Sequence, residues 1–130
     1  MLVTMVKTTS LASATAVYEA AARVLSKRRE SAAVRLSPAV EAELKPLAFE
    51  KARFTVVLTP QRVPLHASGA ERAEFLLAAN PGEPARPLAR AASGGELSRL
   101  MLALHVVLDA AEPGRVLVFE SRMKPWGVRA

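Results

Sequence analysis

An α/β fold is predicted by three observations on the 130-residue chain. Residues 10–36 contain neither Pro nor Gly, are rich in alanine, and place apolar side chains at helical spacing. Two runs near 53–59 and 73–78 are β-branched or alternating and lie between turn residues. Residues 94–111 then return to helical periodicity before a short apolar run at 115–120. Helices and strands that alternate along one chain make layered α/β architectures.

Residues 1–9 read as a leader, frayed or foreign to the rest of the chain. From Ser10 the stripe Leu11, Ala14, Val17 or Tyr18, Ala21, Val24 or Leu25 marks one helix face. Ser37-Pro38 marks a kink or a new helical start, since proline suits a first turn. Val40, Leu44 and Leu47 carry the stripe on to about Ala48. A narrow stripe on a long polar helix suits a coiled-coil arm, and an ordinary packed helix shows the same pattern.

Arg53-Phe54-Thr55-Val56-Val57-Leu58-Thr59 reads as a strand ended by Pro60. Residues 60–72 form a loop, and Ala73–Ala78 a second strand. Asn80-Pro81-Gly82-Glu83-Pro84 is turn chemistry that Pro87 extends. A helix spans about 94–111, with Leu97, Leu100, Met101, Leu104 and Leu108 on one face, and Pro113-Gly114 ends it. Arg115–Glu120 is almost wholly apolar and suits a strand buried on both faces.

Ser93-Gly94-Gly95-Glu96 sets two glycines in the first turn of that helix. Glycine is a poor helix former, so the pair needs a reason. Bare backbone at the positive end of a helix lets an anion such as phosphate approach closely. Ser93 and Glu96 also satisfy a Ser-x-x-Glu capping box, which needs no ligand.

The longer string Ala92-Ser93-Gly94-Gly95-Glu96-Leu97-Ser98-Arg99-Leu100-Met101-Leu102-Ala103-Leu104 resembles the signature motif of ATP-binding-cassette (ABC) ATPases. Its wording is similar to that of the RecN family of SMC-like DNA repair ATPases. Glu74–Pro84 resembles the segment that leads into that family's signature helix. Leu25–Arg29 and Leu47–Phe54 are similar to its returning coiled-coil arm and the junction with the head. The resemblance covers roughly residues 15–120. It implies a partial ABC/SMC-type head preceded by a long or kinked arm helix: leader 1–9, arm end 10–52, C-terminal part of the head 53–121, divergent tail 122–130.

In P-loop ATPases a buried strand ends in a metal-linked aspartate and a catalytic glutamate. Val116-Leu117-Val118-Phe119 fits that Walker B strand, but Glu120 stands at the metal-linked position and Ser121 at the catalytic one. A serine hydroxyl is no carboxylate base at neutral pH, so no catalytic residue is expected. Glu120 is at most a degenerate Mg²⁺ ligand. Resemblance stops inside this motif, and Arg122–Ala130 reads as foreign, the product of a slipped frame near Phe119–Ser121. A true C-terminus with a diverged motif is the alternative. No Gly-x-x-x-x-Gly-Lys-Ser/Thr occurs in the sequence, so ATP has no cradle in cis.

Composition narrows the classes. A 51% hydrophobic content argues against disorder, and zero cysteines exclude disulfides, thiolate metal sites and a cysteine nucleophile. His66 and His105 match no metal-ligand spacing. No apolar run approaches the roughly 18 residues of a membrane span, and the N-terminus lacks signal-peptide features, so cytoplasm is expected, at the nucleoid if the resemblance holds. Half of the +6 net charge comes from Arg122, Lys124 and Arg129. The compact basic cluster that remains is Lys27-Arg28-Arg29, read either as a DNA contact or as a solvated helix face.

By resemblance the chain is a truncated protein of recombinational double-strand-break repair. Ser93, Gly94, Gly95 and Glu96 would contact ATP in trans, on a nucleotide held with Mg²⁺ by the opposite head of a homodimer acting on DNA. Alone it is not expected to be an ATPase. Two alternatives stay open: a non-catalytic basic DNA-binding or adaptor module, and a piece of another ABC-type ATPase.

Overall fold

A computed structural model describes residues 2–90 and 94–109. Helix α1 spans Leu2–Leu44, strand β1 Arg53–Pro60, strand β2 Glu71–Ala78, strand β3 Arg86–Pro87 and helix α2 Gly94–Asp109. One-turn 3₁₀ segments occupy Lys45–Leu47 and Leu88–Arg90. The architecture is α/β: a long helix, a three-stranded antiparallel sheet in the order β1-β2-β3, and a second helix. Ser93, the 115–120 run, Glu120, Ser121 and the 122–130 tail lie outside the described residues.

The described residues fall into two compact units. One comprises the chain up to Val34 together with Val57–Glu74; the other comprises Arg35–Val56 and the described residues from Phe75 on. Each draws on both sides of residue 52, where the sequence suggests an arm-to-head border.

α1 is one helix of 43 residues, and it takes in residues 2–9, the segment expected as a leader. It also runs through Pro38, whose missing N–H leaves the Val34 carbonyl without its helical partner. It ends at Leu44, where Lys45–Leu47 tightens into a 3₁₀ turn that carries Pro46. Ala48 then turns left-handed at φ 67°, and the Phe49 N–H closes on the Leu44 carbonyl at 3.2 Å.

In the first unit the expected stripe of α1 is corrected. Of the expected positions Tyr18 is covered, whereas Leu11, Ala14, Val17, Ala21, Val24 and Leu25 are exposed; the covered line runs through Tyr18, Ala22, Ser26 and Arg29. The reason lies in what faces it, a polar hairpin loop that is held by hydrogen bonds. Tyr18 Oη donates to the His66 carbonyl at 2.8 Å, and Arg29 donates to the Ser68 and Glu71 carbonyls at 2.6 and 2.8 Å. Gly69, at φ 100°, passes so close to α1 that a Cβ would stand 2.8 Å from Leu25 Cδ2.

The second unit holds the apolar core. Val40 and Leu44 of α1, Phe49, Ala52, Phe54 of β1, Leu77 of β2 and Leu100, Ala103 and Leu104 of α2 form one cluster. The Phe54 and Phe75 rings meet at 5.5 Å, tilted by 44°. Glu41 Oε1 accepts the Phe54 N–H at 3.0 Å, which ties the start of β1 to α1.

β2 begins at Glu71, two residues before the expected start, and the turn Asn80–Glu83 closes with Glu83 N–H on the Asn80 carbonyl at 3.2 Å. Pro81 followed by Gly82 at φ 82° is type II turn chemistry. The two-residue β3, with Leu76 opposite Pro87, is not expected from sequence. Proline is tolerated there because β3 is an edge strand.

Candidate functional site

α2 starts at Gly94, so the glycine pair occupies its first turn as expected. Both glycines are exposed, and a Cβ built on either would meet nothing within 4 Å. Among the described residues no neighbouring side chain or backbone outside the helix requires glycine here. An alanine would fit and would favour the helix by up to about 1 kcal/mol at an interior position. The pair is open backbone at the positive end of a 16-residue helix.

Glu96 lies half-buried in that turn and is its acidic residue. The Ser98 hydroxyl donates back to the Gly94 carbonyl at 2.9 Å. Arg99 folds back as well: its Nε donates to the Gly95 carbonyl at 3.2 Å and Nη1 to the Leu47 carbonyl at 3.1 Å. Its guanidinium carbon sits 4.5 Å above the Phe49 ring centre, in cation–π range. Arg99 belongs to the signature-like string, but nothing in that string points to its partners Leu47 and Phe49.

The expected apolar face of α2 is corrected in its bearing. Leu100, Ala103 and Leu104 are buried and Val107 packs on the core, whereas Leu97, Met101 and Leu108 are exposed, Leu108 by 60%. The buried arc is rotated toward Ala103 because the covering groups, Val40, Leu44 and Phe54, approach from that side. His105 Nδ1 lies 4.0 Å from Asp109 Oδ2 one turn on.

The basic cluster divides. Arg29 is half-buried, its Nη1 and Nη2 already on backbone carbonyls and Nη1 3.8 Å from Glu71 Oε2. These bonds anchor the 68–71 segment to α1. Lys27 and Arg28 are exposed. A groove of about 470 Å³ beside them is lined by Glu19, Glu30 and Glu71 as well as Arg23 and Lys27, so its charge is mixed.

Among the described residues no cluster of three His, Cys, Asp or Glu could hold a metal ion. No helix there is long and apolar enough to cross a membrane. A second cleft, of about 690 Å³, is lined by both signs of charge, among them Glu41, Lys45, Glu50, Lys51 and Glu83.

No protein-family model matches the chain. Its similarity to individual proteins places it in a family of bacterial DNA repair proteins. DNA repair protein RecN of Mycobacterium leprae is 42% identical over 115 residues, taking in 74% of this chain and 20% of the relative. RecN of Streptomyces coelicolor is 42% identical over 110 residues, with 76% and 19% covered. RecN of Treponema pallidum is 42% identical over 107 residues, with 77% and 18% covered. The chain belongs to the RecN family. It spans about one fifth of the length of the relatives it matches.

Proposed function

We propose that this chain supplies the ABC signature half of a composite ATP site in a RecN-type DNA repair protein. Ser93, Gly94, Gly95 and Glu96 present the start of α2 to the γ-phosphate of a nucleotide held by an opposing head. The observation that carries the reading is the exposed glycine pair. Among the described residues both positions have room for a Cβ, which supports a demand for bare backbone from outside the chain.

The groups present fit a phosphate but not a complete nucleotide site. Free N–H groups in a first helical turn and the helix dipole favour an anion. Bound ATP would supply the γ-phosphate that bridges the two heads, and its hydrolysis to ADP and phosphate would remove that bridge. Ser93 would offer a hydroxyl and Gly94 and Gly95 backbone N–H donors to the terminal phosphate oxygens. Mg²⁺ and the P-loop belong to the opposing head in this reading, and Glu120 and Ser121 contribute no base. Residues 10–52 then end a coiled-coil arm, and the residues from 53 to 121 form part of the head.

The test is complementation. A full-length RecN relative whose own signature serine is replaced by arginine is mixed with this chain, ATP and Mg²⁺, and phosphate release is measured. The chain is expected to raise the rate, and its Ser93→Arg variant to leave it unchanged. Equal rates with both versions overturn the reading, as does turnover by the chain alone that survives Ser93→Arg.

A further inference from the structure

We infer that Arg99 is a positioning residue, which locks the first turn of α2 to the end of α1 and so sets the bearing of the Gly94–Gly95 pair. The inference rests on the signature reading for its consequence, but its geometry stands without it.

Three contacts converge on one side chain. The end of α1 is closed by Pro46 and the left-handed Ala48, an arrangement that turns the Leu47 carbonyl and the Phe49 ring toward the same place. Arg99 Nη1 donates to that carbonyl at 3.1 Å. The guanidinium lies over that ring at 4.5 Å. Its Nε donates to the carbonyl of Gly95 at 3.2 Å. Phe49 is itself buried in the core with Leu44 and Leu100, so the stacking surface is fixed.

The chemistry suits arginine and no other residue. A planar fork donates in two directions while its face stacks on an aromatic ring. A carbonyl at the end of a helix is electron-rich, which strengthens a charge-assisted bond to it. Lysine has one ammonium, which can serve one carbonyl and cannot stack as a plane. Gly94 and Gly95 add no side-chain packing of their own, so nothing at those positions opposes a change in helix pitch. Arg99 supplies that restraint from one turn further along.

The coupling is read first by amide NMR on the whole chain. Phe49→Leu is expected to shift the Gly94 and Gly95 amide resonances when Arg99 is present, and to leave them in place in an Arg99→Lys background. Circular dichroism confirms that α2 is retained in each variant. Shifts of equal size in both backgrounds, or none in either, overturn the inference whatever the fate of the ATP reading.

The consequence is read in the complementation assay. Arg99→Lys is expected to lower kcat about tenfold with KM unchanged, as displacement of a positioned group does. A wild-type chain that gives no stimulation defeats the signature reading and leaves the NMR test to decide Arg99. Full stimulation by Arg99→Lys removes the positioning role.

Discussion

Glu41 Oε1 accepts the backbone N–H of Phe54 at 3.0 Å, and Arg53 Nη1 meets its Oε2 at 3.3 Å. One carboxylate thus satisfies a backbone donor at the start of β1. Phe54, the residue it fixes, is among the most deeply buried side chains of the core. Losing the acceptor leaves a half-buried N–H unpaired, which costs about 1–3 kcal/mol. Glu41→Ala is expected to lower the unfolding free energy by that amount in a urea titration, and Glu41→Gln by less, because an amide oxygen still accepts. The Arg53 pair is exposed and adds little.

Gly69 combines a left-handed backbone with a close approach to Leu25 and Arg29. Gly69→Ala meets both problems and is expected to cost about 1–3 kcal/mol. Gly82 has φ 82° but open space around it, so Gly82→Ala carries only the backbone penalty of roughly 1–2 kcal/mol. Gly94→Ala is expected to be neutral or stabilising. A melting series of the three variants checks this order, and a Gly94 variant as damaging as Gly69→Ala would show that the chain itself needs that glycine.

The bearing of α2 is open to a direct comparison. Leu100→Ala removes a fully buried side chain and is expected to cost about 2–5 kcal/mol. Leu108→Ala touches an exposed one and is expected to stay within about 0.5 kcal/mol. Similar losses from the two substitutions would mean that α2 presents a different face to the core.

The basic cluster is expected to separate into two behaviours. Arg29→Ala breaks bonds to Ser68 and Glu71, so the melting temperature falls. Lys27→Glu with Arg28→Glu leaves stability near its starting value, because both side chains are exposed. Any salt-dependent DNA retention by this chain should track the second pair. DNA binding that disappears with Arg29→Ala while the fold holds would reverse that assignment.

The long helix, the first two strands, the 80–83 turn and the glycine-led helix are all legible in the order of residues. Helical spacing, β-branched runs and Pro-Gly punctuation act over a few positions, so they survive without knowledge of the rest. β3 is not legible because two residues ending in proline carry no strand pattern; only pairing with Leu76 and Leu77 makes them a strand. Arg99 is not legible because its partners, Leu47 and Phe49, are about fifty residues away.

By itself the sequence determined the class of fold, the place of the glycine pair and the RecN wording around it, since all three are written in local spacing. Tertiary structure decided which apolar residues of α1 and α2 are covered, which arginine of the 27–29 cluster anchors a loop, and that no neighbour among the described residues demands Gly94 or Gly95. Burial and hydrogen bonding are made with partners distant along the chain, and periodicity names a face without naming what will lie against it.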